Sequence, residues 1–119
     1  MDVNFDNDRP IYIQLVELLK KYIVSGKIKA GDRMPSVREF ASTFKVNPNT
    51  VQKSLQELES VGLIYTERTN GKYITSDNRL IESIRLEFAK DLVSDYLSDM
   101  ESIGFNKSDA IKYLERIDK

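Results

Sequence analysis

The chain has no cysteine, no histidine and no tryptophan among its 119 residues. Lacking thiol and imidazole, it has neither the usual nucleophile-base pairs nor the sulfur and nitrogen ligands of zinc sites. No phosphate-cradling glycine loop is present. Carboxylates such as Asp95 and Asp99, at i, i+4 on one helix face, read as a solvated surface, so we expect neither an enzyme nor a metal or other cofactor. No stretch approaches the ~20 apolar residues of a membrane span, and the N-terminus carries charges in place of an apolar secretory core. With zero cysteine this points to a reducing, cytoplasmic setting and no membrane partner.

What is present is a set of helix boundaries. A content of 40% hydrophobic residues in a chain of this length suits one core with an appended oligomerisation element. Asp8 and Pro10 announce a first helix, in which Ile11, Leu15, Leu18, Leu19, Tyr22 and Ile23 recur at helical spacing before Gly26. Arg33-Met34 offers a short strand. Ser36 and Glu39 make a capping box, each satisfying a free backbone donor, and Val37, Phe40, Ala41 and Phe44 supply the buried face of a second helix. After a tight turn, Asn47 caps and Pro48 opens a third helix with Val51, Leu55 and Leu58 on one stripe, closed by Gly62. Leu63 to Arg68 and Lys72 to Thr75 read as two strands around Thr69-Asn70-Gly71, a hairpin signal in which Tyr65 and Tyr73 serve packing.

A different pattern begins at Asp77 or Asn78 and persists to Gly104, about 25 residues and roughly 38 Å of helix. Its apolar residues step in fours, from Leu80 and Ile84 to Phe88, Leu92, Tyr96 and Met100, so the stripe rotates and its two ends address different neighbours. The start should pack on the preceding domain. Phe88, Leu92, Val93, Tyr96, Leu97 and Met100 should meet a second subunit, because an isolated helix cannot hide them from water. A final helix, capped by Asn106 with Asp109 in its first turn, presents Ala110, Ile111, Leu114 and Ile117 as a face to fold back, with Ile111 and Leu114 also assigned to the interface.

The fold class is therefore mostly α with a small β-hairpin: a winged helix-turn-helix over residues 1–76, followed by a C-terminal helical hairpin for dimerisation over residues 77–119. Charge agrees with this division although the net is only -1. Lys20 to Lys53 holds eight cations and two acids, while Asn78 to Lys119 holds seven cations and nine acids. The first segment suits a phosphate backbone and the second suits water or protein.

The runs Pro10-Ile11-Tyr12-Ile13-Gln14-Leu15, Gly31 to Glu39, Asn47-Pro48-Asn49-Thr50-Val51 and Leu58 to Ile64 together resemble the GntR family of bacterial transcription regulators over roughly residues 10 to 75. The short tail, with Gly104-Phe105 entering a terminal helix, is similar to the YtrA-like subfamily, whose members dimerise through two helices. The resemblance implies a sequence-specific, operator-binding regulator, a repressor acting as a homodimer on a near-palindromic duplex. It names no effector. The chain departs from the family at Lys45, where glycine is usual, at Pro48 and Gln52, where arginine is frequent, and at Thr69-Asn70-Gly71, where Gly-x-Gly is usual.

Roles follow from a third helix entering the major groove by its N-terminal end. Asn49 and Gln52 project amides suited to adenine N6/N7, and Thr50 reaches a phosphate or a thymine methyl. Arg38 resembles the family's arginine at the groove edge. Arg68 and Lys72 bring the wing to the backbone, and Lys45 and Lys53 add affinity. Asn47 belongs to this set by position, although helix initiation already explains it. The alternative is a winged helix used as a protein interaction module, with the basic front of the third helix idle; salt-dependent duplex binding separates the two.

Overall fold

The computed structural model describes residues 4–118, arranged as five helices and one antiparallel hairpin among those residues. The chain forms two compact units that divide after Arg85.

In the first unit, α1 (Ile11–Val24), α2 (Val37–Phe44) and α3 (Pro48–Ser60) precede β1 (Ile64–Glu67) and β2 (Gly71–Ile74). The apolar spacing anticipated from the sequence is the core: Leu15, Leu19 and Ile23 from α1, Phe40, Ala41 and Phe44 from α2, and Val51, Leu55 and Leu58 from α3 are buried. Leu63, Ile64, Ile74 and Met34 close it from the hairpin side. Eight of these side chains, Leu15, Leu19, Val51, Leu55, Leu58, Leu63, Ile64 and Ile74, are excluded from solvent, a burial that contributes about 1.5–3 kcal/mol per large aliphatic residue. Ser54, also excluded from solvent, directs its hydroxyl between the carbonyls of Thr50, 2.9 Å away, and Tyr12, 3.1 Å away, tying α3 to α1.

Three local expectations need correction. Pro10 is the N-cap of α1 and not its first helical residue, with φ -54 and ψ 133, so the helix begins without a side-chain cap. The first strand is two residues shorter than anticipated, the second begins and ends one residue earlier, and the register Glu67 to Gly71 leaves a three-residue turn, with the positive φ of 95° carried by Gly71. Arg33 forms an isolated bridge with Tyr73 and no longer strand.

The long helix α4 (Asn78–Ser102) starts under Asp77, whose Oδ1 accepts from the backbone N–H of Arg79 and Leu80, both at 3.1 Å. Its first two turns place Leu80, Ile81 and Ile84 against the winged core, as the rotating stripe required. In the second unit α4 ends at Ser102 and the chain turns at Gly104, with φ 94°, where the N–H of Phe105 reaches back to the carbonyl of Met100 at 3.0 Å. The capping box of Asn106 and Asp109 then opens α5 (Lys107–Arg116). The face expected to fold back does so only at Ala110, which is buried; Ile111, Leu114 and Ile117 are exposed, and Ile117 lies beyond the helix in extended conformation. The hairpin is instead closed by aromatics. Tyr96 donates its hydroxyl to the Ala110 carbonyl at 2.8 Å, and Phe105 meets Tyr113 edge to face at 5.2 Å.

Candidate nucleic-acid interface

The turn between α2 and α3 is built by three residues. Lys45 ends α2 in the left-handed region, φ 55 and ψ 48, a conformation that favours glycine. Val46 follows, its N–H bonded to the Ala41 carbonyl at 3.1 Å, and Asn47 then caps α3 by accepting from the Asn49 N–H at 2.8 Å. At the other end of α2 the Ser36/Glu39 capping box is complete in both directions. Both helices therefore begin at defined positions.

The first turn of α3 contains no acidic residue, so no carboxylate offsets the positive end of the helix dipole, and its N–H groups at Asn49, Thr50 and Val51 are met only by the neutral side-chain and backbone oxygens of Asn47. Asn49 and Gln52 are exposed there, and Thr50 is half-buried. Acids are confined to the rear, at Glu57 and Glu59. Such polarity suits the approach of a phosphate backbone and leaves two side-chain amides free of internal hydrogen bonds among the described residues.

The remaining candidates separate. Arg38 and Lys45 are exposed on and just after α2, and Arg68 is exposed in the hairpin turn; none of the three has an ion pair among the described residues. Lys53 folds back over the Tyr12 ring, its Nζ 3.8 Å from the centroid. Lys72 is turned inward, because residues paired across the hairpin alternate faces and Lys72 shares with Thr66 the face toward α3. Its Nζ lies 2.9 Å from Thr66 Oγ1 and 3.4 Å from Glu59 Oε2, while Thr66 donates its hydroxyl to Glu59 Oε1. That hydrogen bond from Thr66, with the Lys72 charge behind it, holds the Glu59 carboxyl below its ordinary pKa against a smaller opposing effect of burial. Tyr65 and Tyr73 stack at 5.9 Å as a cross-strand pair.

Sequence reasoning missed Arg33. Residues 31–34 run along the outer edge of β2: Gly31 N–H to the Ile74 carbonyl at 3.1 Å, Ile74 N–H to the Asp32 carbonyl at 2.8 Å, and Met34 N–H to the Lys72 carbonyl at 2.7 Å. The wing is thus three segments wide. A pairing forty residues distant leaves no local trace, and the possible strand at Arg33-Met34 was the only available signal.

In the second unit the expected interface residues also divide. Leu92, Val93, Ile111 and Leu114 are exposed, at 62%, 55%, 47% and 57%, whereas Phe88, Tyr96, Leu97 and Met100 are half-buried. Tyr96 and Met100 line an apolar groove with Phe105, Tyr113, Leu114 and Ile117. Leu86, not anticipated, joins Ala89, Val93 and Leu97 along one face of α4, and Ile103 is exposed beyond its end.

Comparison with known proteins agrees with this geometry. The model of the bacterial regulatory proteins of the gntR family matches residues 11–74. The HTH-type transcriptional repressor YtrA of Bacillus subtilis is 34% identical over 110 residues, which cover 91% of this chain and 84% of the relative. A solved GntR family transcriptional regulator from Listeria monocytogenes superposes with a TM-score of 0.87 at 41% identity, covering 96% of this chain and 100% of that one. AraR(DBD) in complex with operator ORR3 superposes with a TM-score of 0.53 at 28% identity, covering 63% of this chain and 88% of that one.

Proposed function

Because the chain belongs to the GntR family of bacterial regulatory proteins, a family of transcription regulators and not of enzymes, we propose that it binds an operator as a homodimer and represses the promoter that contains it. The observation that carries this reading is the front of α3. A helix N-terminus without acids, two exposed amides at Asn49 and Gln52, and exposed cations at Arg38, Lys45 and Arg68 form a surface for the edges and phosphates of duplex DNA. In support, AraR(DBD), which superposes on 63% of this chain, was solved in complex with an operator, and the relative YtrA is a repressor.

Dimerisation is supported by the exposed apolar residues of the second unit, Leu86, Leu92, Val93, Ile111 and Leu114, which a soluble monomer would leave in water. Two copies related by a twofold axis would present two α3 helices to successive major grooves, so the site is near-palindromic with half-sites about one helical turn, or a multiple, apart. Selection of bound duplexes from random DNA with the purified protein tests the whole reading at once. It should return an inverted repeat with fixed spacing. Recovery of unrelated sequences at moderate salt would contradict it.

A further inference from the structure

We propose that Arg33 is a cation with which the wing, beside Arg68, meets a DNA phosphate, and that Lys72, the other sequence-based candidate there, is occupied within the fold. The inference rests on the reading of the α3 front as a DNA-facing surface. It assigns a contact to a residue outside the helix-turn-helix and outside the hairpin.

Arg33 reaches the wing through backbone geometry. The bonds that attach residues 31–34 to β2 pair Arg33 with Tyr73 and carry its side chain along the strand to the hairpin turn. There the guanidinium lies against Gly71: a Cβ built on that glycine would stand 3.5 Å from both Nε and Nη2. The absence of a side chain at Gly71 thus leaves room for the guanidinium at the tip. Arg33 is exposed and has no ion pair or side-chain hydrogen bond among the described residues. It also lines, with Ser36, Val37, Glu39 and Lys72, the groove between the start of α2 and the wing.

Lys72 is in the opposite situation. Its side chain is 21% exposed, and its ammonium is already matched by the Glu59 carboxylate and the Thr66 hydroxyl. A lysine paired with a carboxylate adds no net charge to the surface that displaces counterions from DNA. Arg33 has no such partner, and its planar fork and weak hydration suit a phosphate oxygen pair.

The dependence of affinity on salt tests this, measured on a duplex recovered by the selection above. Each phosphate neutralised contributes about 0.9 to the slope of log K against log salt. Arg33→Ala should lower the slope by about that amount for each subunit and weaken binding by roughly tenfold per subunit at 0.1 M salt, while Arg33→Lys restores the slope. The charge-neutral double variant Glu59→Gln/Lys72→Gln should keep the wild-type slope. Circular dichroism and a thermal melt establish that each variant is folded; if Arg33→Ala is not, Arg33→Gln, which keeps most of the stem, reads the same slope. An unchanged slope in the folded Arg33 variant, or a slope reduced in the double variant instead, overturns the assignment while the operator reading stands. A wild-type protein without salt-dependent duplex binding takes down both.

Discussion

Replacing Lys45 by glycine isolates the strain in the helix-turn-helix from the charge that it carries. Lys45 is the one described non-glycine residue with positive φ, at 55° with ψ 48°. Holding an L-residue there costs about 1–2 kcal/mol, and a glycine in its place avoids that while losing about 0.5–1 kcal/mol more chain entropy on folding. The net is a stabilisation of about 0.5–1 kcal/mol, which for a domain of this size raises the melting midpoint by roughly 2–5 °C. Lys45→Ala removes the same ammonium and keeps the strain, so it should show no such gain. Urea denaturation of the three proteins at one fixed concentration is the assay, since dimerisation would make stability depend on concentration. Glycine and alanine variants of equal stability would refute the assignment of strain. On DNA the two should weaken operator and random duplex alike, because the role proposed for Lys45 is a phosphate contact without base readout.

Other outcomes follow from the same geometry. Gly62→Ala should destabilise by about 1–2 kcal/mol, since the residue sits at φ 82° and the added Cβ would lie 3.2 Å from Leu80 Cδ2; a melt unchanged from wild type would contradict this. Glu59 titrates below its ordinary range when folded, so its contribution to stability is complete above about pH 4.5 and is lost as pH falls through the depressed value. Glu59→Gln should therefore flatten the acid limb of the stability curve, modestly because the side chain is 37% exposed, and an acid limb as steep as wild type would count against it. Leu92→Glu should yield monomers by sedimentation with much weaker operator binding, whereas a sedimenting dimer would exclude Leu92 from the interface.

Much of this was legible because helix boundaries depend on nearest neighbours. Ser36 with Glu39, Asn47 with Pro48, and Asn106 with Asp109 each fix a helix start within four residues, and all three are observed. Helical periodicity likewise gave the buried faces of the first three helices, since one apolar stripe must meet one core. Legibility ended where partners are distant in sequence. Nothing local indicates that Lys72 turns toward Glu59 on α3, that Arg33 joins β2, or that Lys53 lies over Tyr12 on α1. In the tail, spacing identified apolar positions but could not separate Tyr96 and Met100, committed to the helical hairpin, from Leu92 and Val93, left on the surface.

The central claim is that the front of α3 reads base edges. It is tested most directly by titrating Asn49→Ala and Gln52→Ala against the selected operator and against a random duplex of equal length at one salt concentration. The account predicts a loss of about 1–3 kcal/mol on the operator for each variant and little change on random DNA. Equal losses on the two duplexes would contradict it.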